Sequence, residues 1–163
     1  MNSYEIEIAV ARHFGAEMNL IVPNIFFHYE LDLIIVNQRH YAWEVEIKTS
    51  ISDLKAEKKK SPLAHISDKI KRLYFAVPDN LTEKSMALIP ERAGLLRVVN
   101  INGRLVVCLE KAPQTNKNAR KLTEKEMIKL GKLAAMRIWN LKEALLKEKR
   151  KRESQEKRGD NGH

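Results

Sequence analysis

A single cysteine in 163 residues, Cys108, excludes an internal disulfide framework and a cysteine-built zinc cluster. It lies in the apolar run 105–109 and reads as a small core residue. The histidines, among them His28, His40 and His65, lack any regular ligand spacing, so a histidine zinc site is not expected, and His13 reads as packed on its helix. Six glycines form no phosphate-cradling loop, which argues against nucleoside-triphosphate hydrolysis. Long apolar runs are missing too, and Glu5 and Glu7 interrupt the N-terminal hydrophobic residues. Neither a membrane span nor a signal peptide is expected, and the chain reads as soluble and cytoplasmic. No internal repeat is visible.

What the chain has in excess is positive charge. The formal net charge of +9 points to a polyanionic partner, because lysine and arginine neutralise phosphates and release counterions. The basic residues cluster at 55–60, 69–72 and 147–152, followed by Lys157 and Arg158. The plainer reading of the last group is a solvated helix face and a disordered tail. With 44% hydrophobic residues, the length suits one core.

Periodicity divides the chain into an α/β pattern. Ser3 caps a helix over 3–14 that closes at Gly15, and strands are expected at 20–27, 30–36 and 41–48. A charged helix capped by Ser50 or Ser52 runs to about residue 60, before Pro62. A short helical segment at 66–70 leads to a strand at 73–77, closed by Pro78. Strands at 95–99 and 104–109 flank Asn102-Gly103, a strong hairpin signal. The order is αβββαβ with an added β-hairpin, which implies a mixed sheet in a domain spanning 1–113. Residues 114–122 form a polar connector. Thr123 and Glu126 then make a capping box for a long helix over 123–152. Met127, Leu130, Ala134, Ile138, Leu141 and Leu145 form an apolar stripe on it, suited first to docking on the main domain and otherwise to a homodimer contact. Residues 153–163 read as a disordered basic tail.

Chemistry concentrates in the second and third strands. With a period of two, Glu44, Glu46 and Lys48 share one face while Trp43, Val45 and Ile47 share the other. A three-residue loop of Gln38, Arg39 and His40 pairs Asn37 with Tyr41 and puts Asp32 opposite Glu46; a two-residue loop would separate them. Two carboxylates and an ammonium on one face suit metal-dependent phosphodiester cleavage. The plainer alternative is an exposed ion pair on a polar strand face. Glu7 falls amid Tyr4, Val10, Ala11 and Phe14 on the first helix, where a carboxylate is costly unless paired or metal-bound. Its alternative role is to favour the positive end of the helix dipole. Glu5 falls on the opposite face.

Asp32 followed by Glu46-Ile47-Lys48 on an αβββαβ framework resembles the PD-(D/E)XK nuclease superfamily. Within it, residues 46–54, 72–78 and 90–96, taken in order, are similar to the MmcB-like DNA-repair endonucleases. The resemblance spans about 21–109. Leu31 stands where the superfamily has proline, and the long helix lies outside the resemblance.

The resemblance implies a restriction-endonuclease-like fold and a Mg²⁺- or Mn²⁺-dependent DNA endonuclease of repair, recombination or a mobile element. Asp32, Glu46 and the main-chain carbonyl of Ile47 would be the hard-oxygen metal ligands. Lys48 would hold the attacking water or stabilise developing negative charge. Resolvase-like relatives carry a metal-facing glutamate on the first helix, the position of Glu7. Lys58, Lys59, Lys60, His65 and Lys69 follow the motif strand as candidate DNA contacts. The rival readings are a non-cleaving DNA-binding module on the same fold and an RNA nuclease.

Overall fold

Asn2, one residue before the expected cap, starts the first helix because a glutamate stands three positions after it. The Asn2 side chain accepts from the Glu5 backbone N–H at 2.9 Å, and the Glu5 carboxylate accepts from the Asn2 N–H at 2.6 Å. In the computed structural model, which describes residues 1–27, 29–59 and 67–160 without the side chains of 57–59 and 156–160, α1 spans Ser3–His13. Gly15, with φ 69°, turns the chain after it.

Six strands then form one mixed sheet in the order β1-β2-β3-β4-β5-β6: Leu20–Phe26, Glu30–Val36, Ala42–Ile47, Ile70–Pro78, Gly94–Ile101 and Arg104–Lys111. β3 runs parallel to β4 and β4 parallel to β5, and the other pairs are antiparallel. Between β3 and β4 lies α2, Ile51–Lys59, which begins after Ser50, whose hydroxyl accepts from the Asp53 N–H. A 3-10 turn at Asp79–Leu81 and α3, Thr82–Met86, join β4 to β5. The expected αβββαβ order and added hairpin are therefore present. Asn102 and Gly103 both take positive φ, as the tight turn between β5 and β6 requires. The helical segment expected near 66–70 is absent over its described part. Residues 68–69 form a turn and β4 already begins at Ile70, because Ile70 is paired with Ala42.

Each face of the sheet is covered. On one, Ile6, Ala9 and Val10 of α1 pack over Leu33, Ile35, Val45, Tyr74, Ala76 and Leu96. The other face carries two clusters. Leu54 and Ile51 of α2 join Leu73, Phe75, Val77 and Leu95, while Val22, Ile34, Val36 and Ile70 lie under Leu130. Gly94 allows the start of β5 to approach its neighbours, since a Cβ there would lie 2.9 Å from both Tyr74 and Pro113.

α4, Glu124–Asp160, carries Leu130. The helix continues past the expected end at residue 152, so the stretch expected as disordered tail is helical as far as Asp160, and residues 161–163 lie outside the described residues. The connector before it is stapled to the domain: Asn116 donates to the carbonyls of Ser67 and Ile70, and the Leu122 N–H donates to the His40 carbonyl. The predicted capping box forms between Thr123 and Glu126. Met127, Leu133 and Ala134 join Leu130 against the domain, but Ile138, Leu141 and Leu145 are more than half exposed, so the apolar stripe outruns the surface it docks on. No helix among the described residues is long and apolar enough to cross a membrane.

Glu126 ties this helix to the sheet. Its carboxylate takes both terminal nitrogens of Arg120 at 2.8 Å and lies 3.1 Å from the Lys69 ammonium. The hydrogen bonds from Arg120 hold the Glu126 carboxyl well below the usual carboxylate range. A depressed folded-state pKa gives stability that is present above the ordinary carboxylate value and lost on acidification below it. Glu126→Gln is therefore expected to cost about 1–2 kcal/mol at neutral pH in urea unfolding, with the difference from wild type shrinking as the pH falls below about 4.

Candidate active site

The three-residue turn forms as expected. The Asn37 N–H donates to the Tyr41 carbonyl, His40 takes φ 65°, and Leu33 pairs with Val45. Continued by one residue, that register puts Asp32 opposite Glu46. At this end of the sheet the Asp32 carboxylate accepts the Ile47 N–H at 2.8 Å, while the Lys48 N–H donates to the Ala76 carbonyl of β4.

The motif residues are not an exposed ion pair. Glu46 and Lys48 are buried, with Glu44 fully so beside them. Nζ of Lys48 lies 2.6 Å from Glu46 Oε2 and 3.6 Å from Asp32 Oδ2. One ammonium thus bridges both carboxylates. The buried Glu46 carboxylate beside the partly exposed Asp32 is tolerable because a cation lies between them. Burial pushes the Glu46 carboxyl up to about 7, with the Asp32 and Glu44 charges adding to the rise and Lys48 opposing it.

Glu7 reaches the same place from α1. Its helix buries Ile6, Ala9 and Val10, so the apolar face is turned about a quarter turn from the one expected, and Tyr4 is exposed. Glu7 sits at the border of that face and accepts from the Asn24 amide at 3.2 Å. Desolvation raises its pKa, countered by the Asn24 hydrogen bond, with Asp32 raising and Arg137 lowering it further. Ser3, Tyr4, Glu7, Asn24, Asp32 and Ile47 line one cleft of about 150 Å³.

Several participants escaped the sequence reading. Asn24 is in β1 with φ 48°, and its carbonyl accepts from the Arg137 guanidinium of α4. Pro23-Asn24, a turn-like pair inside a strand pattern, was the available signal. Tyr29 donates to the buried Glu44 carboxylate, and burial followed by that charge raises the phenol pKa far above its usual value. Nothing in the local sequence marks this pair, because the two residues stand 15 positions apart and meet only through the fold.

The candidate DNA contacts divide. Lys69 lies against Glu126 and over the Phe27 ring, 5.0 Å from its centroid. Lys58 and Lys59 fall on α2, but their side chains lie outside the described residues, as do Lys60 and His65 altogether. Among the described residues no group of three or more His, Cys, Asp or Glu is arranged to hold a metal ion. The carboxylates that line the cleft are those of Glu7 and Asp32, with Ile47 beside them. Mg²⁺ suits such a set, since it is commonly held by one or two carboxylates and completed by water and substrate phosphate.

Comparison with known proteins agrees with this fold. The profile of a family described as DNA repair protein MmcB-like matches residues 28–145. A solved structure from Silicibacter pomeroyi, a protein of unknown function, superposes with a TM-score of 0.60 at 20% identity, covering 89% of this chain and 91% of that one. None of the curated proteins matches the sequence.

The raised Glu46 pKa has a signed consequence. Its folded-state value exceeds the unfolded one, so the folded protein holds the proton more tightly and loses relative stability as pH rises through about 7. Glu46→Gln cannot ionise and escapes that loss. The variant is expected to gain roughly 1–3 kcal/mol relative to wild type between about pH 5 and pH 8, read from urea unfolding across that range.

Proposed function

The chain belongs to the MmcB-like family of DNA repair proteins, and from that membership and the Asp32, Glu46 and Lys48 cluster we propose that it is a metal-dependent DNA endonuclease of the PD-(D/E)XK type. The observation that carries this reading is the ammonium of Lys48 in reach of both carboxylates. A site where one cation already bridges Asp32 and Glu46 is a site that a divalent cation fits.

Asp32, Glu46 and the carbonyl of Ile47 would hold Mg²⁺ or Mn²⁺, which supplies an acidified water and neutralises charge on the phosphate. Lys48, whose ammonium donates to Glu46 at 2.6 Å, would turn to the attacking water or to a phosphate oxygen once the metal takes its place between the carboxylates. Glu7, which lines the same cleft and has a raised pKa, would be the residue to accept a proton there. The Ile47 N–H fixes Oδ2 of Asp32, the same oxygen that faces the Lys48 ammonium.

Beyond the cleft, the exposed basic residues of α4 at 147–152 suit contacts to flanking phosphates. The exposed Ile138, Leu141 and Leu145 are the candidate seam for a homodimer. The Lys48 ammonium that already neutralises Asp32 and Glu46 favours a second reading, a DNA-binding module on the same fold that does not cleave.

A panel of single-stranded, nicked, flapped and four-way DNA, with matching RNA, separates the readings in Mg²⁺ or Mn²⁺. Cleavage of DNA is expected, and both Asp32→Asn and Lys48→Ala should lower its rate by about 100-fold or more while DNA binding in chelator stays close to wild type. The double variant should be hardly slower than either single one, because residues acting as one catalytic unit are not additive. No cleavage of any member by the wild type would leave the binding module, and cleavage confined to RNA would make the chain a ribonuclease.

A further inference from the structure

Aromatic residues are few in this chain, and most of them are buried or half-buried. Only Tyr4, Phe26 and Trp139 are more than 60% exposed; the first lines the acidic cleft and the second stands two residues along the chain from a lining residue. Tyr4 lines it directly, one helical turn before Glu7. Phe26 projects outward from β1 two residues beyond Asn24, another lining residue, and both positions face solvent. Each ring is 70% exposed, and neither takes part in any of the three buried clusters. Their exposure leaves apolar ring area open to solvent.

The backbone holds these rings in place. Asn24 adopts φ 48°, its amide bonds Glu7 and its carbonyl accepts from Arg137, so the strand leading to Phe26 is pinned from both α1 and α4. Tyr4 sits in the first turn of α1, which the Asn2 and Glu5 capping box closes. The guanidinium of Arg137 lies close enough to influence Glu7, which adds a cation near the two carboxylates of the cleft.

An exposed ring beside a phosphate-cleaving site gains most from a base whose face is free. Inside a duplex both faces of every base are covered by its neighbours, whereas an unpaired base offers its face to an aromatic side chain. We propose that the cleft between α1 and β1 takes single-stranded DNA, with Tyr4 and Phe26 stacking on unpaired bases either side of the phosphate presented to Asp32 and Glu46. This rests on reading the cleft as the nuclease site, and it specifies the strand state that the site accepts.

The test is binding without cleavage. Fluorescence anisotropy in chelator compares a single-stranded DNA of about 16 nucleotides with a blunt duplex of the same sequence. Tyr4→Ala and Phe26→Ala should each weaken single-strand binding by roughly 5- to 100-fold and leave duplex binding within about twofold, while Tyr4→Phe and Phe26→Tyr should keep wild-type affinity. Thermal melts accompany each variant. If Phe26→Ala melts early, Phe26→Leu replaces it, because it keeps apolar bulk and removes the ring. Wild-type preference for the duplex, no loss in the alanine variants, or an equal loss on both DNAs would overturn the proposal and leave the nuclease reading standing. Failure of cleavage with the single-strand pattern intact would instead remove the nuclease reading and keep the stacking site.

Discussion

The Lys48 ammonium between Asp32 and Glu46 is the interaction on which the candidate site depends. Burying one carboxylate beside another costs several kcal/mol unless a cation repays the lost hydration. Glu46 and Lys48 are both buried, so each makes the other tolerable. The pairing demands a particular register. The three-residue turn at 38–40 brings Asp32 opposite Glu46, and the parallel bond from Lys48 to Ala76 holds the strand end against β4. A one-residue slip would turn every side chain of β3 to the other face and exchange Val45 for Glu44 under α1.

Around that cluster the helices act as walls. α1 covers one face through Ile6, Ala9 and Val10 and leaves Glu7 at the border, aimed at the sheet end. On the other face α4 docks by its first half only, with Arg120, Glu126 and Lys69 fixing its start and Arg137 reaching back to β1. Membership of the MmcB-like family covers residues 28–145, which takes in Asp32, Glu46, Lys48 and the docked half of α4. Glu7, Tyr4 and Asn24 lie before it, so their place in the cleft rests on the geometry of α1 and β1.

Much of this was legible in the sequence because it follows from short-range rules. Strand alternation placed Glu44, Glu46 and Lys48 together, Asn102-Gly103 marked its hairpin, and the spacing of Thr123 and Glu126 marked the start of α4. Local rules with two solutions were less secure. Asn2 and Ser3 can both cap a helix, and the reciprocal bond with Glu5 decides for Asn2. Burial was the least legible property. A strand reading Glu-Val-Glu looks half-solvated, yet Glu44 is fully buried, with its carboxylate accepting from Tyr29, which stands just ahead of β2. The apolar stripe of α4 likewise gave no sign of where its docking surface stops, since that depends on how far β1 extends beneath it.

If the ammonium of Lys48 is the resident counter-ion of the two carboxylates, then removing it should leave them open to a stronger cation. Calorimetric titration of Mn²⁺ into wild type and Lys48→Met, in the absence of DNA at about pH 7.5, measures this competition directly. The account predicts tighter Mn²⁺ binding in Lys48→Met by roughly 10-fold, with the gain abolished when Asp32→Asn is added. Unchanged or weaker Mn²⁺ binding in Lys48→Met would contradict it, because the ammonium and the metal would then not share a site.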